Sequence, residues 1–262
     1  MSVVSEAVVL VEQIGPVRVI VLNRPRQRNA LNPALVDGLT VALAAAEHDP
    51  ATKAVLIAGA GPSFCAGADL RHLLTLADAG ESPVPFLRTI SDLTRRIELS
   101  AVPMVAVLHG HAVAGGLEIA WACDAVLGEA GTLIGDGHIR SHLVPGAGSE
   151  VHIRHELGDS LGPWLELTDE LRPVERFLGP ESVVRPGRGA TEGLRAAKAL
   201  AAKPNLGRSA LQKLLADLDE YVSVEEEWTR ELATFERHWS AHDVPRKLRR
   251  FLARGSARCS PE

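Results

Sequence analysis

The sequence predicts an α/β fold built on a largely parallel sheet, and three observations carry that prediction. Short apolar, β-branched runs alternate with segments of helical periodicity, the pattern of strands joined by crossover helices. The runs AVLIA at 54–58 and MVAVL at 104–108 are apolar at every position, as expected of strands buried on both faces. Glycine-rich turns at 61–69 and 110–116 follow those strands and lead into the next helical segment.

Taken in order, residues 7–23 hold two β-rich pieces, AVVLVEQ and VRVIVLN, split by Ile14-Gly15-Pro16, so the chain opens with a hairpin. Residues 29–49 read as a helix with Asn32 as N-cap and Pro33 at the first helical position. A buried strand begins near Lys53 and ends in the loop AGPSFCAGADL, and a second helix follows it. Another helix runs to about Leu99, then a strand from Met104, a glycine-rich turn, a helix from about Gly116, the strand AVLGEA and the short run TLIG. Beyond Gly148 strand signals fade, and residues 150–252 read as helices broken at Gly158, Pro173, the stretch Gly179 to Gly189, and Pro204. Residues 1–195 are therefore expected to form the core that carries the site, and 196–262 a helical C-terminal segment.

Composition narrows the function. A chain of 262 residues with 46% apolar content can bury a sizeable core. A net charge of −5 gives no basic field for nucleic acid, although the tail RKLRRFLARGSAR is locally basic and suited to an anion. Three widely spaced cysteines argue against a disulfide frame or a zinc site and favour a reducing, cytoplasmic setting. The start MSVVSEAVVLVEQ lacks the features of a secretory leader. The most apolar segment carries His109, His111, Glu118 and Asp124, charges too costly for a membrane span. Six of the ten histidines fall between residues 109 and 155, yet none forms HExxH, so no metal is expected.

Two turns carry the candidate chemistry, SFCAGADL at 63–70 and HGHAVAGGLE at 109–118. Glycine lets a backbone approach a ligand closely, and a helix start leaves unpaired N–H groups with partial positive charge. Each turn alone is also simply a tight strand-to-helix connection. Glu118 stands out as a carboxylate inside the apolar run LHGHAVAGGLEIAWACD, either an acid-base group or a cap for its own helix.

The run of motifs LNRPRQRNALN at 22–32, FCAGADL at 64–70, VPMVAVLHGHAVAGGLEIAWACDAVLGEAGTLIG at 102–135 and PGAGS at 145–149 resembles the enoyl-CoA hydratase/isomerase superfamily, the crotonases, in order and spacing. The resemblance implies a spiral of repeated ββα units with a helical C-terminal segment that builds trimers or hexamers. It implies an acyl-CoA substrate whose thioester carbonyl accepts backbone N–H bonds from Ala68 and Gly115, with Glu118 as acid-base. It places the backbone of Ala66, Asp69 and Leu70 at the adenine, Arg24 and Arg26 near the CoA phosphates, His111 beside the acyl pocket, and Lys247 and Phe251 at the nucleotide. No cofactor is implied beyond the coenzyme A of the substrate, and no nucleic-acid or membrane partner.

One departure qualifies the resemblance. Hydratases carry a second glutamate in a Pro-Glu pair about 14 residues past the Cys-Asp pair, and the count from Cys123-Asp124 puts Gly137 and His138 there. With His138 beside Glu118, hydration or isomerisation stays open next to thioester or C–C bond hydrolysis, decarboxylation, and a scaffold subunit without chemistry. Asp136 is expected to hydrogen-bond a neighbour or tune it. Cys65 reads as a small buried hydrophobe.

Overall fold

In the computed structural model the described residues are 7–146, 162–203 and 224–257. The main sheet has six strands: β1 (Val9–Ile14), β2 (Val17–Leu22), β3 (Ala54–Gly59), β4 (Met104–Leu108), β6 (Ala125–Glu129) and β9 (Val183–Val184), hydrogen-bonded in the order β1-β2-β3-β4-β6-β9. The opening hairpin pairs antiparallel with Ile14 opposite Val17, and every later neighbour in this sheet pairs parallel. A second sheet holds β5 (His111–Val113), β7 (Leu133–Gly135) and β8 (Arg172–Pro173), with β5 and β7 parallel and β8 antiparallel to β7. Each unit thus puts one strand in the main sheet and its short continuation in the second, as β4 passes to β5 and β6 to β7. The chain is an α/β protein of this repeating kind.

Helices follow from capping and periodicity. Helix α1 (Pro33–His48) starts where the Asn32 side chain accepts the Leu35 N–H at 3.0 Å, and it buries Leu35, Leu39, Leu43 and Ala46 along one face. Helix α2 (Leu70–Asp78) is capped by Asp69, whose side chain accepts the Arg71 N–H at 3.1 Å. Helix α3 (Val84–Leu99) and the short helix α4 (Gly115–Trp121) complete the layer over one sheet face. Helix α5 (Gly189–Ala201) covers the other face, where Ala197 packs with Leu56, Val105 and Val107. Burial on both faces is why β3 and β4 read as unbroken apolar runs, and each leucine or isoleucine fully withdrawn from water contributes about 1.5–3 kcal/mol. The C-terminal helices α6 (Val224–Ala241) and α7 (Val244–Ala257) pack against α3 and α2 respectively.

Two details differ from the expectation of helices alone beyond residue 148. The strands β8 and β9 are two residues each, too short for any periodicity to show. Residue 195, the expected limit of the core, lies inside α5, which packs directly on the sheet. The expected motif PGAGS lies outside the described residues beyond Gly146, as do His152, His155, Gly158 and Pro204. Among the described residues no helix is long and apolar enough to cross a membrane.

Candidate active site

Turn one is stitched to β5 and the residues just before it by backbone bonds: Phe64 N–H to the His109 carbonyl at 3.0 Å, Cys65 N–H to that of His111 at 3.2 Å, and Val113 N–H to that of Cys65 at 3.1 Å. On its other edge Leu31 donates to the Gly67 carbonyl at 2.8 Å and accepts from Asp69 at 2.7 Å, bridging to Ala68 in parallel. Because successive residues of an extended chain point their polar groups to opposite sides, the Ala68 N–H faces away from Leu31. Gly67 sits at φ 82°. A Cβ there would lie 3.0 Å from the Val113 carbonyl and 3.2 Å from the Gly115 nitrogen, so turn one lies directly against the start of α4. Gly116 answers the same need from the other side, since its Cβ would fall 2.4 Å from the Cys65 carbonyl oxygen.

Helix α4 begins after Ala114, a non-glycine residue at φ 48° and ψ −127°. Such a backbone costs about 1–3 kcal/mol and persists only where its surroundings over-determine it. Here the Ala114 N–H donates to Gly135 of β7 at 3.1 Å, and its carbonyl accepts from Leu117 and Glu118 at 2.7 and 3.1 Å. As the first helical residue, Gly115 keeps its N–H outside the helix's own ladder. Glu118 follows in the first turn, 1% exposed, where the helix dipole favours a carboxylate. Its Oε2 lies 3.6 Å from the point a Gly115 Cβ would occupy.

His138 enters from the loop after β7. Its Nδ1 is 2.7 Å from Asp136 Oδ1, and its backbone N–H donates to Asp136 Oδ2 at 3.1 Å, so one buried carboxylate holds both ring and main chain. Burial alone would push the imidazole down. The Asp136 charge and hydrogen bond, with the charges of Glu118 and Glu231, override it and raise the pKa to about 9. His138 is therefore a cation at neutral pH. Since its folded value lies above the ordinary 6.5, its contribution to stability is complete below pH 6.5 and is lost as pH rises through about 9. Thermal melts should show the melting temperature falling across that window, and His138→Gln should flatten the slope.

Ala68, Gly115, Glu118 and His138 line one cleft, together with Leu87 of α3 and Phe235 of α6. The cleft is narrow, with about 20 Å3 open to the centre of a water-sized molecule, and it is partly open to solvent. The other residues singled out from sequence fall elsewhere. His111 does not line the cleft; burial and then the Arg28 charge hold its pKa below the ordinary value. Arg24 is engaged inside the loop, 3.0 Å from Asp69 Oδ2 and donating to the Ala30 carbonyl, whereas Arg26 is exposed. The Ala66 N–H donates to the Arg28 carbonyl at 3.0 Å, and Leu70 packs on the core. Lys247 and Phe251 lie half-buried on α7, which packs on α2 and is ion-paired to it through Arg249 and Asp78. Cys65 is buried, its thiol pushed up to about 12 by burial.

Sequence reasoning missed Asn29. Fully buried at φ 55°, it accepts the Arg24 N–H at 2.8 Å and directs Nδ2 at the carbonyls of Ala60, Ser63 and Phe64 at 2.8–3.0 Å. That single amide ties the arginine-rich loop to turn one. Asp124 ties the far end of the core, accepting the Met104 N–H at 2.7 Å.

Comparison with known proteins gives the family. The enoyl-CoA hydratase/isomerase family model matches residues 12–170. A probable enoyl-CoA hydratase of Rhizobium meliloti is 30% identical over 197 residues, covering 72% of this chain and 75% of that protein. One from Mycobacterium bovis is 32% identical over 162 residues, and there the match spans 61% of each protein. The crystal structure of an enoyl-CoA hydratase/isomerase from Xanthobacter autotrophicus Py2 superposes with a TM-score of 0.82 at 24% identity, over 98% of this chain and 100% of that one. A family match over more than half the sequence, on a fold shared along nearly its whole length, means that the chain belongs to the enoyl-CoA hydratase/isomerase family.

Proposed function

We propose that the chain is an acyl-CoA enzyme of the hydratase/isomerase type in which Ala68 and Gly115 hold the thioester oxygen, Glu118 is the base and His138 the acid. The observation that carries this reading is the convergence, in one cleft, of the Ala68 and Gly115 residues, the buried carboxylate of Glu118 and a histidine whose pKa Asp136 raises. In hydration, a Glu118 oxygen takes a proton from water as the water oxygen bonds to Cβ of the enoyl thioester. The π electrons move through Cα onto the carbonyl oxygen, where the two N–H groups meet the developing charge; losing one such donor typically costs about 2.7–4 kcal/mol. His138, whose Nδ1 is occupied by Asp136, delivers the proton on Nε2 to Cα. Exchange with solvent returns both groups to their starting states, and no cofactor beyond the substrate's coenzyme A takes part.

The cationic His138 also favours a second reading, decarboxylation of a malonyl-type thioester. That reaction needs an enolate held and then protonated, but no water deprotonated. Thioester hydrolysis would use the same Glu118 carboxylate to deprotonate water, with attack at the carbonyl carbon in place of Cβ. A panel of crotonyl-CoA, a malonyl-type thioester and saturated acyl-CoAs separates the readings. Hydration of crotonyl-CoA supports the first and CO2 release the second, while CoA release alone would overturn both.

A further inference from the structure

Away from the reacting groups the wall of the cleft is apolar, and three separate elements build it: Leu87 on α3, Gly146 in the loop beyond the His138 turn, and Phe235 on α6. They meet at one point. A Cβ on Gly146 would lie 3.0 and 3.1 Å from atoms of the Phe235 ring and 3.2 Å from a Leu87 methyl, closer than the about 3.5–4.0 Å at which two carbons rest. No further carbon fits between them. Phe235 is buried and stacks on Trp239 with ring centroids 5.7 Å apart, while His238 Nε2, 2.9 Å from the His142 carbonyl, pins α6 to the turn that leads into Leu143, another residue of the wall. The ring is therefore held in place. About 20 Å3 of the cleft is open to the centre of a water-sized molecule, little more than the about 10–15 Å3 that one water needs.

We propose that Phe235 and Leu87 set the acyl-chain length: ring and methyl close the apolar end of the cleft, so that the protein takes a short, unbranched aliphatic thioester, of butyryl rather than octanoyl length. This deepens the acyl-CoA reading of the site and rests on it. With the thioester oxygen at Ala68 and Gly115 and Cβ at Glu118, the carbons beyond Cβ run along the apolar wall, where among the lining residues described only Glu118 and His138 carry polar side chains. A hydrocarbon chain suits that wall. A longer chain has to displace a stacked ring or the backbone of Gly146, and forcing extra methylenes into packed surroundings costs about tenfold or more in affinity. In an open pocket each added methylene would instead strengthen binding by about fourfold. The closed and open cases thus differ in sign.

The test is calorimetric binding of free CoA and of acetyl-, butyryl-, hexanoyl- and octanoyl-CoA to the full chain, which needs no turnover. Affinity should rise from acetyl- to butyryl-CoA and fall by about tenfold or more at octanoyl-CoA. Phe235→Leu, which stays apolar but withdraws the ring, should raise the ratio of octanoyl to butyryl affinity by at least about tenfold. Leu87→Ala opens the same wall from α3 and should raise that ratio too, with thermal melts confirming that each variant folds. Octanoyl-CoA binding as tightly as butyryl-CoA in the unaltered protein overturns the proposal, as does an unchanged ratio in either folded variant. Failure of the acyl-CoA reading would look different: no binding of any of these compounds, free CoA included, overturns that reading and the chain-length limit together.

Discussion

Glu118→Gln should lower turnover of the acyl-CoA substrate by about 10²–10⁴-fold, the usual share of a general acid-base group, with little change in substrate binding. The reason is placement. The side chain leaves α4 one turn after Gly115, 1% exposed, on the wall shared by Ala68 and His138. Glutamine keeps volume and polarity but cannot accept and return a proton. The measurement is kcat and KM with the best thioester of the panel, alongside a thermal melt. A drop in kcat at an unchanged melt places the effect in the chemistry, and undiminished kcat removes Glu118 from the mechanism.

Gly115→Pro should cut turnover by at least about 10²–10³-fold, the effect of removing one oxyanion donor. Proline is accepted at the first position of a helix, so α4 itself survives. However, proline pushes the preceding residue toward extended backbone, and Ala114 at ψ −127° lies outside that range, so some loss of stability accompanies the change. Gly115→Ala is the control. It keeps the N–H, and its Cβ would meet the Leu31 methyl at 3.2 Å, Glu118 Oε2 at 3.6 Å and the Gly67 Cα at 3.7 Å. Most activity should persist in the alanine variant and vanish in the proline variant, with circular dichroism confirming that both fold. Full turnover in a folded proline variant would remove Gly115 as a donor.

These two variants test residues that were legible in the sequence, and the reason is local. Glycines at 67, 115 and 116 and the carboxylate at 118 lie within turns whose chemistry depends on near neighbours in the chain. The opening hairpin, the Asn32 cap of α1 and the buried runs of β3 and β4 were legible for the same reason. What was not legible depends on contacts remote in sequence. Asn29 looks like an ordinary loop residue until the fold brings Ala60, Ser63 and Phe64 around its amide. The expectation for Arg24 was a phosphate contact, and only the pairing with Asp69, 45 residues away, shows that its cation braces the loop. His138 was found by counting from Cys123-Asp124, but its charge state came from Asp136, Glu118 and Glu231 together. Phe235 sits in an amphipathic pattern that marks it as buried without saying which cavity it borders.

The central claim is that the cleft holds an enolate at the Ala68 and Gly115 N–H groups while His138 exchanges the proton at Cα and Glu118 that of water. Exchange of the C2 protons of butyryl-CoA in D2O, followed by proton NMR, tests it most directly, because it needs neither the right acyl chain nor a complete reaction. The account predicts that the C2 signal decays faster with the protein than in buffer, and that the acceleration disappears in His138→Gln, which removes the group at Cα, and in Gly115→Pro, which removes an enolate donor. Binding of butyryl-CoA with C2 exchange no faster than in buffer would contradict it.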